Sequence, residues 1–200
     1  GTYSSTVAAA TANTCLPCIA GTYSEVSAAT SVTTCLDCIA GKFLVTNGND
    51  EEHDCALCGK GRYSSSMGAT SEDTCQSCMP GTYLETQGNS AQGDCLLCGK
   101  GTYSSSTGAT TAVTCQSCIS GTYSEASGAT SDSTCILCIA GTYSTSVGAI
   151  AGDACSTCPD GMTSLPGSST SSECAVRCQV GYFKSPNGIC QECPFMSSSK

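Results

Sequence analysis

Cysteine pairs recur at a fixed interval of twenty residues, and this spacing limits what the chain can fold into. Each pair has the form Cys-x2-Cys, and eight pairs, from Cys15/Cys18 to Cys155/Cys158, follow one another without a change of interval. Two further pairs, Cys174/Cys178 and Cys190/Cys193, break the interval. Self-similarity at a period of about 20 to 50 residues is typical of repeat proteins, whose units contact mainly their neighbours. The sequence therefore predicts a tandem array rather than one globular core.

The rest of the composition would not support an ordinary apolar core. Tryptophan is absent and only 3 of the 200 residues are phenylalanine, whereas 20 are cysteine. Such a cysteine density predicts a covalent scaffold of the kind found in secreted and cell-surface proteins. The net charge of −9 leaves no basic surface for nucleic acid. No apolar run is long enough to cross a bilayer. We therefore expect an extracellular or cell-surface location.

Three positions recur within the repeats when each is counted from the second cysteine of a pair as position 0. Position +3 is glycine, position +5 is aromatic, and position +10 is glycine except for Ala28. Thr-Tyr-Ser around position +5 favours an extended strand, and the +10 glycine favours a turn with positive φ. Each repeat is therefore predicted to be a small hairpin, and the aromatic rings are predicted to stack as a ladder along a rod. The ladder consists of Tyr23, Phe43, Tyr63, Tyr83, Tyr103, Tyr123 and Tyr143.

The predicted fold class is a small disulfide-rich one, an elongated tandem array of twenty-residue β-hairpin repeats with few or no helices. Residues 1–17 are interpreted as a partial repeat and residues 18–157 as seven full repeats. Residues 158–193 are interpreted as degenerate shorter repeats or a cap, and residues 194–200 as a linker or tail. A longer period of forty residues is carried by Leu44/Leu84 and Asp54/Asp94, which indicates a duplication.

The repeat resembles the ephrin-receptor-like cysteine-rich repeat, which is related in style to EGF-like and TNF-receptor-like modules. The residues that carry the resemblance are Cys118, Gly121–Ser124, Gly128–Thr130, Thr134 and Cys135. The resemblance covers about residues 1–158 strongly and the remainder weakly. It implies an extracellular protein in which the repeats act as structural or adhesive spacers, often in protists and algae.

Two disulfide arrangements fit the spacing. In the crossed arrangement, Cys15–Cys35 and Cys18–Cys38 form a four-cysteine module that restarts at Cys55 and fits the forty-residue period. In the chained arrangement, the second cysteine of each pair bonds the first cysteine of the next. We favour the chained arrangement because the spacing of the glycine and tyrosine positions is the same in every repeat. Its bonds are Cys18–Cys35, Cys38–Cys55, Cys58–Cys75, Cys78–Cys95, Cys98–Cys115, Cys118–Cys135, Cys138–Cys155, Cys158–Cys174 and Cys178–Cys190. It requires a partner for Cys15 before residue 1 and a partner for Cys193 after residue 200.

The sequence contains little that could carry chemistry. The spacing of the Cys-x2-Cys pairs also fits a zinc ribbon, but such sites belong to reducing compartments and the chain is acidic and poor in lysine. The acidic residues Asp50, Glu51, Glu52 and Asp54 surround His53, the single histidine, and form a weak calcium candidate. The alternative is a solvated hairpin loop, which we favour. We expect no enzyme activity, no metal and no cofactor.

Two functions fit these features. The favoured hypothesis is a structural protein whose disulfide-closed rod belongs to a filament, appendage or matrix at the cell surface, a mastigoneme-like hair being one setting. The alternative is the stalk or ectodomain of a receptor or adhesin that binds a protein or glycan, with the unusual 42–54 hairpin as the candidate binding face. The expected partners are other copies or neighbouring chains of the same assembly. Three runs of serine and threonine, 64–66, 104–106 and 168–172, are expected to be exposed and to carry O-glycans.

Overall fold

Strands of two or three residues, paired as antiparallel hairpins, form most of the regular structure of the described residues. The computed structural model describes residues 1–7, 11–176, 178, 182–186 and 190–192. Within them lie ten two-stranded hairpins about twenty residues apart and no α-helix. The predicted small disulfide-rich class of hairpin repeats is confirmed. The strands are β1 (Thr2–Tyr3), β2 (Leu16–Pro17), β3 (Thr22–Tyr23), β4 (Leu36–Asp37), β5 (Lys42–Phe43), β6 (Ala56–Leu57), β7 (Arg62–Tyr63), β8 (Gln76–Ser77), β9 (Thr82–Tyr83), β10 (Leu96–Leu97), β11 (Thr102–Tyr103), β12 (Gln116–Ser117), β13 (Thr122–Tyr123), β14 (Ile136–Leu137), β15 (Thr142–Tyr143), β16 (Ser156–Thr157), β17 (Met162–Thr163), β18 (Ala175–Val176), β19 (Tyr182–Lys184) and β20 (Cys190–Glu192).

The register of the hairpins is the same from repeat to repeat. In the hairpin of β3 and β4, Thr22 lies opposite Asp37 and Tyr23 lies opposite Leu36. A single 3-10 turn precedes the first cysteine of each pair from Cys15 to Cys174. Within the described residues these turns are Ala12–Thr14, Val32–Thr34, Glu52–Asp54, Glu72–Thr74, Gln92–Asp94, Ala112–Thr114, Asp132–Thr134, Gly152–Ala154 and Ser171–Glu173.

The chain divides into two compact units. The first consists of Gly1–Cys98 and Ser104–Cys115, and the second of Gly99–Tyr103 and Gln116–Lys200. Each unit is built from stacked hairpins, because an isolated two-stranded hairpin is marginal in water.

Backbone hydrogen bonds join successive repeats inside the first unit. The Gly61 N–H donates to the Leu84 carbonyl at 2.9 Å, and the Ser64 N–H donates to the Asn89 carbonyl at 3.0 Å. The Gly88 N–H donates back to the Cys58 carbonyl at 2.9 Å. These bonds satisfy the outer edge of one hairpin with the next hairpin, so the repeats depend on their neighbours.

The second unit uses the same set of bonds. The Gly121 N–H donates to the Ser144 carbonyl at 2.7 Å, and the Ser124 N–H donates to the Ala149 carbonyl at 2.9 Å. The Gly148 N–H donates to the Cys118 carbonyl at 2.8 Å. Because only backbone atoms take part, the intervening side chains can vary without changing the stacking.

The glycine at position +3 is required by a close approach of two backbones. Gly61 has φ +75°, and a Cβ added to it would lie 2.2 Å from the carbonyl oxygen of Gly108, two repeats further along the same unit. No side chain fits at that distance. The +10 position has positive φ as the sequence predicts, and the exception Ala28 keeps the same conformation at φ +56°.

The forty-residue period corresponds to two different hydrogen bonds that close the same loop. In most repeats position +6 is a buried serine, and its Oγ accepts the N–H two residues later, as Ser64 does from Ser66. In the repeats with Leu44 and Leu84 that acceptor is missing. There the asparagine at position +11 donates to the +8 carbonyl instead, as Asn49 does to Thr46 at 2.6 Å.

Position +16 shows a second exchange of the same kind. The Thr74 hydroxyl donates to the Ser71 carbonyl at 2.8 Å and thereby closes the 3-10 turn. Where aspartate replaces threonine, the direction reverses, because Asp94 accepts the Ala91 N–H at 2.9 Å. Both residues tie position +16 to position +13, so threonine and aspartate can replace one another there.

Candidate functional site

Disulfide bonds link the two ends of the repeats covalently. Among the described residues, nine bonds join the second cysteine of each pair to the first cysteine of the next, which is the chained arrangement. The bonds are Cys18–Cys35, Cys38–Cys55, Cys58–Cys75, Cys78–Cys95, Cys98–Cys115, Cys118–Cys135, Cys138–Cys155, Cys158–Cys174 and Cys178–Cys190.

The hairpin geometry explains the pairing. Pairing of Arg62 with Ser77 and of Tyr63 with Gln76 brings the two ends of the repeat together, and the Cα atoms of Cys58 and Cys75 lie 5.6 Å apart. That separation is within the usual range for a disulfide. Cys15 is exposed and is the free cysteine of the part that the structure describes, whereas Cys193 lies outside that part.

The second cysteine of each pair from Cys18 to Cys138 lies at the centre of the buried core. Cys38, Cys58, Cys78 and Cys98 have no measurable exposed surface. Among the residues that the structure describes, no larger aliphatic core surrounds them. The fold is therefore held by disulfides that are themselves the main buried apolar groups.

Aromatic rings cover the disulfides of the following repeat. Tyr23 is 8% exposed and packs in one cluster with Cys38, Cys55 and Leu44. Tyr63 packs in the same way against the cluster of Cys78, Leu84 and Cys95. The sequence predicts stacking of ring on ring, but the contacts found here are between a ring and a disulfide. The predicted ladder residues Tyr23, Phe43, Tyr63, Tyr83, Tyr103, Tyr123 and Tyr143 are buried or half-buried at equivalent positions.

The acidic loop of the calcium candidate is occupied with internal contacts. Glu52 forms a 2.8 Å ion pair with Lys42, and Glu51 contacts the His53 imidazole at 2.7 Å. Asp54 accepts the Glu51 N–H at 3.2 Å. The hydrogen bond from Lys42 lowers the pKa of the Glu52 carboxyl below its ordinary value. In the described part of the chain, no group of three or more potential ligands is arranged to hold a metal ion.

The 42–54 hairpin borders an open depression. Lys42, Glu51, Glu52 and His53 line it together with the loop from Ser24 to Ala28. The lining is charged and polar and lies open to solvent. The hairpin therefore offers a polar surface without the enclosed geometry that a small-molecule site usually has.

The serine runs divide into buried and exposed residues. Ser64, Ser104 and Ser168 are buried, so the expectation that the whole runs are exposed is wrong at these positions. Ser65 and Ser66 are exposed, as are Ser105 and Ser106. The buried residues form part of the loop closure, and the exposed residues alone are accessible to a modifying enzyme.

Comparison with known families identifies one part of the chain. Residues 69–115 match the family described as tyrosine-protein kinase ephrin type A/B receptor-like, which confirms the resemblance over this segment. No curated protein matches the chain significantly. The matched segment has the same hairpin register and disulfide pattern as the repeats on either side of it. The repeat type and its disulfides are typical of extracellular domains. None of the helices in the described ranges is long and apolar enough to span a bilayer.

Proposed function

We propose that this chain is part of an extracellular structural protein, a disulfide-closed spacer in a filament, appendage or matrix at the cell surface. The observation that carries the proposal is that, within each compact unit, the twenty-residue repeats are closed by their own disulfides and joined to one another by the same backbone hydrogen bonds. Such a chain can be lengthened by one repeat at a time without redesign of the interface.

The covalent path through the repeats suits a protein that bears load. Force applied along the chain passes from Cys58 through its disulfide to Cys75 and then through two residues to Cys78. The residues within the hairpin lie outside that path. Tension therefore acts on disulfides and short links rather than on the loops, and each repeat can lengthen no further than this covalent path when hydrogen bonds break.

The side chains favour a structural role over catalysis. An active site needs a convergent set of acids, bases or nucleophiles in a pocket. His53 is the single histidine of the chain, and its imidazole lies on the surface beside Glu51. We therefore propose a protein without enzyme activity.

Immunogold electron microscopy of intact cells tests the proposal. An antibody raised against the folded repeats is expected to label a filament, hair or matrix outside the plasma membrane, and to do so without permeabilisation. Labelling confined to the cell interior would contradict an extracellular role. Labelling scattered singly over the plasma membrane would favour the receptor or adhesin stalk, for which the polar surface of the 42–54 hairpin is the candidate binding face.

A further inference from the structure

Large aliphatic side chains remain exposed at one location in every full repeat. They flank the buried second cysteine, either directly before it or directly after it. The two positions lie two residues apart in the chain, and each is exposed where it carries a large aliphatic side chain. In the first unit these residues are Ile19, Ile39, Leu57, Met79 and Leu97, which we call the apolar stripe.

In most repeats only one of the two flanking positions carries a large aliphatic side chain. Where leucine precedes the cysteine, as at Leu57 and Leu97, glycine follows it at Gly59 and Gly99. Where isoleucine or methionine follows, as at Met79, the preceding residue is small, polar or proline. The second unit keeps the pattern with Ile119 after Ser117, and carries aliphatic residues at both positions in Leu137 and Ile139.

The side chains of the stripe are exposed, so burial inside the folded chain does not explain why a large aliphatic residue recurs at this location. Its five side chains are between 46% and 70% exposed. Met79 and Leu97 line one shallow depression together with Thr82 and Gln92, so members from the two ends of a repeat lie close together. Scattered surface leucines need no explanation, but a large aliphatic group retained in every repeat indicates a contact surface.

The area of the stripe matches what one partner contributes to a standard protein interface. A half-exposed aliphatic side chain leaves on the order of 100 Å² of apolar surface in water, so five leave roughly 500 Å². A standard interface buries about 800 Å² on each partner, of which somewhat more than half is apolar. The first unit therefore carries enough apolar surface for one such interface.

Two charged residues on the neighbouring strands are paired within the chain. Lys42 and Glu52 form a 2.8 Å ion pair, and so do Arg62 and Glu72, at the same positions of adjacent repeats. Charges paired with one another inside the same chain need no partner across an interface. The aliphatic side chains recur about every twenty residues in each copy of the chain. The stripe of a second copy would therefore place one aliphatic side chain opposite another in every repeat.

We infer that the apolar stripe is the lateral contact between this chain and a second copy of itself. The inference rests on the proposed structural function, to which it adds the surface through which neighbouring chains associate. Because the chains carry a net charge of −9 each, they repel at low ionic strength. Association through the stripe should therefore strengthen as salt is raised, which is the opposite of an association driven by attraction between charges.

Sedimentation velocity of the chain over a range of concentrations tests the inference. All variants carry Cys15→Ser, since Cys15 is free and exposed and could form covalent dimers. Non-reducing electrophoresis excludes other covalent dimers. The stripe variant replaces Ile19, Ile39, Leu57, Met79 and Leu97 by serine. The matched control replaces five exposed residues outside the strands, Val26, Val45, Met67, Val113 and Val147, by serine.

The stripe variant is expected to raise the dissociation constant for self-association by at least about tenfold, whereas the loop control leaves it within about twofold of the parent. Raising salt from about 50 mM to about 500 mM is expected to strengthen association of the parent. A parent that stays monomeric at all concentrations, an equal loss in both variants, or association that weakens with salt would overturn the inference.

A rescue variant tests the stripe without a large change to the chain. Leu57→Ser alone is expected to weaken association by about threefold. Adding Gly59→Ile should restore it, because a Cβ at Gly59 meets no atom within 4 Å and the two positions compensate in the natural repeats. Failure of the rescue, with both proteins folded by circular dichroism, would contradict the assignment.

Two further outcomes separate this inference from the proposed function. If the chain floats with phosphatidylcholine vesicles through the stripe and does not self-associate, the occupant is a lipid surface and the inference is wrong. If immunogold labelling finds the chain in an extracellular filament while the parent is monomeric and the stripe variant is incorporated normally, the inference fails and the proposed function stands. If the chain self-associates through the stripe but is labelled inside cells, the proposed function fails instead.

Discussion

Pulling a single chain in the presence of a reductant should lengthen it in equal steps. With all disulfides intact, the covalent path of one repeat is the 5.6 Å between the Cα atoms of Cys58 and Cys75 plus three residue steps of about 3.5 Å to Cys78, which gives about 16 Å. A fully reduced repeat of twenty residues reaches about 70 Å. Cleavage of each of the seven equivalent disulfides should therefore release about 54 Å.

Force spectroscopy of the chain held between two handles measures these steps. The control is the same chain pulled without reductant, which should extend as its hydrogen bonds break but show no 54 Å steps. Under constant force, the number of steps should equal the number of closed hairpins between the handles.

The crossed arrangement predicts a different record. Two bonds, Cys15–Cys35 and Cys18–Cys38, would then close nearly the same segment. Cleavage of the first would leave the second holding the segment and would release no length. One step for every two disulfides, or large extension before reductant is added, would refute the chained path.

The remaining predictions concern the backbone contact, the order of reduction and the acidic loop. Gly61→Ala should destabilise the stacked repeats by at least about 2 kcal/mol, because of the 2.2 Å approach to the Gly108 carbonyl and the positive φ, whereas Gly59→Ala should change stability by less than about 0.5 kcal/mol. Hydrogen exchange of the Leu84–Gly88 amides measures both, and equal protection in the two variants would count against the stacking. Limited reduction followed by differential alkylation should open Cys158–Cys174 before Cys58–Cys75, because the cysteines of the first bond are both partly exposed and those of the second are both buried. The reverse order would show that burial does not protect these bonds. Lys42→Ala should raise the pKa of Glu52, followed by NMR titration, while the pKa of Glu173, lowered by hydrogen bonds from Ser169, stays unchanged. Since the folded-state pKa of Glu52 is depressed, its contribution to stability is present above the ordinary carboxyl pKa and is lost as the pH falls through the depressed value. An unchanged Glu52 pKa in Lys42→Ala would contradict the assigned cause.

The features visible in the sequence were those that depend on residue type at a fixed spacing. The twenty-residue period follows from the recurring cysteines, and the hairpin of each repeat follows from the Thr-Tyr-Ser segments. The positive φ at position +10 follows from the glycine found there, such as Gly68. The family resemblance was also visible, and it is confirmed for residues 69–115.

The contacts between repeats could not be read in the same way. The bonds from Gly61 to Leu84 and from Gly88 to Cys58 use backbone atoms only, so they leave no pattern in the side chains. The role of the +3 glycine depends on a turn two repeats away, which local propensity does not describe. Tyr23 covers a disulfide because stacking brings Cys38 and Cys55 beneath its ring, a consequence of the register between hairpins.

The serine at position +6 shows a different limit. Serine is usually exposed, so runs such as Ser64–Ser66 suggest an accessible surface. The Ser64 Oγ instead accepts the Ser66 N–H inside a tight loop, and burial of the hydroxyl follows from that hydrogen bond. The exchange of serine for leucine at Leu44 and Leu84, together with asparagine at position +11, was the available sign that this position is internal.

Disulfide mapping of the native, non-reduced protein tests the central claim most directly. Proteolysis between the cysteines and mass spectrometry are expected to identify peptides that join Cys18 to Cys35, Cys58 to Cys75 and Cys138 to Cys155. A peptide that joins Cys15 to Cys35, or a protein isolated from its native setting with most of its cysteines as free thiols, would contradict an architecture built on one disulfide per hairpin.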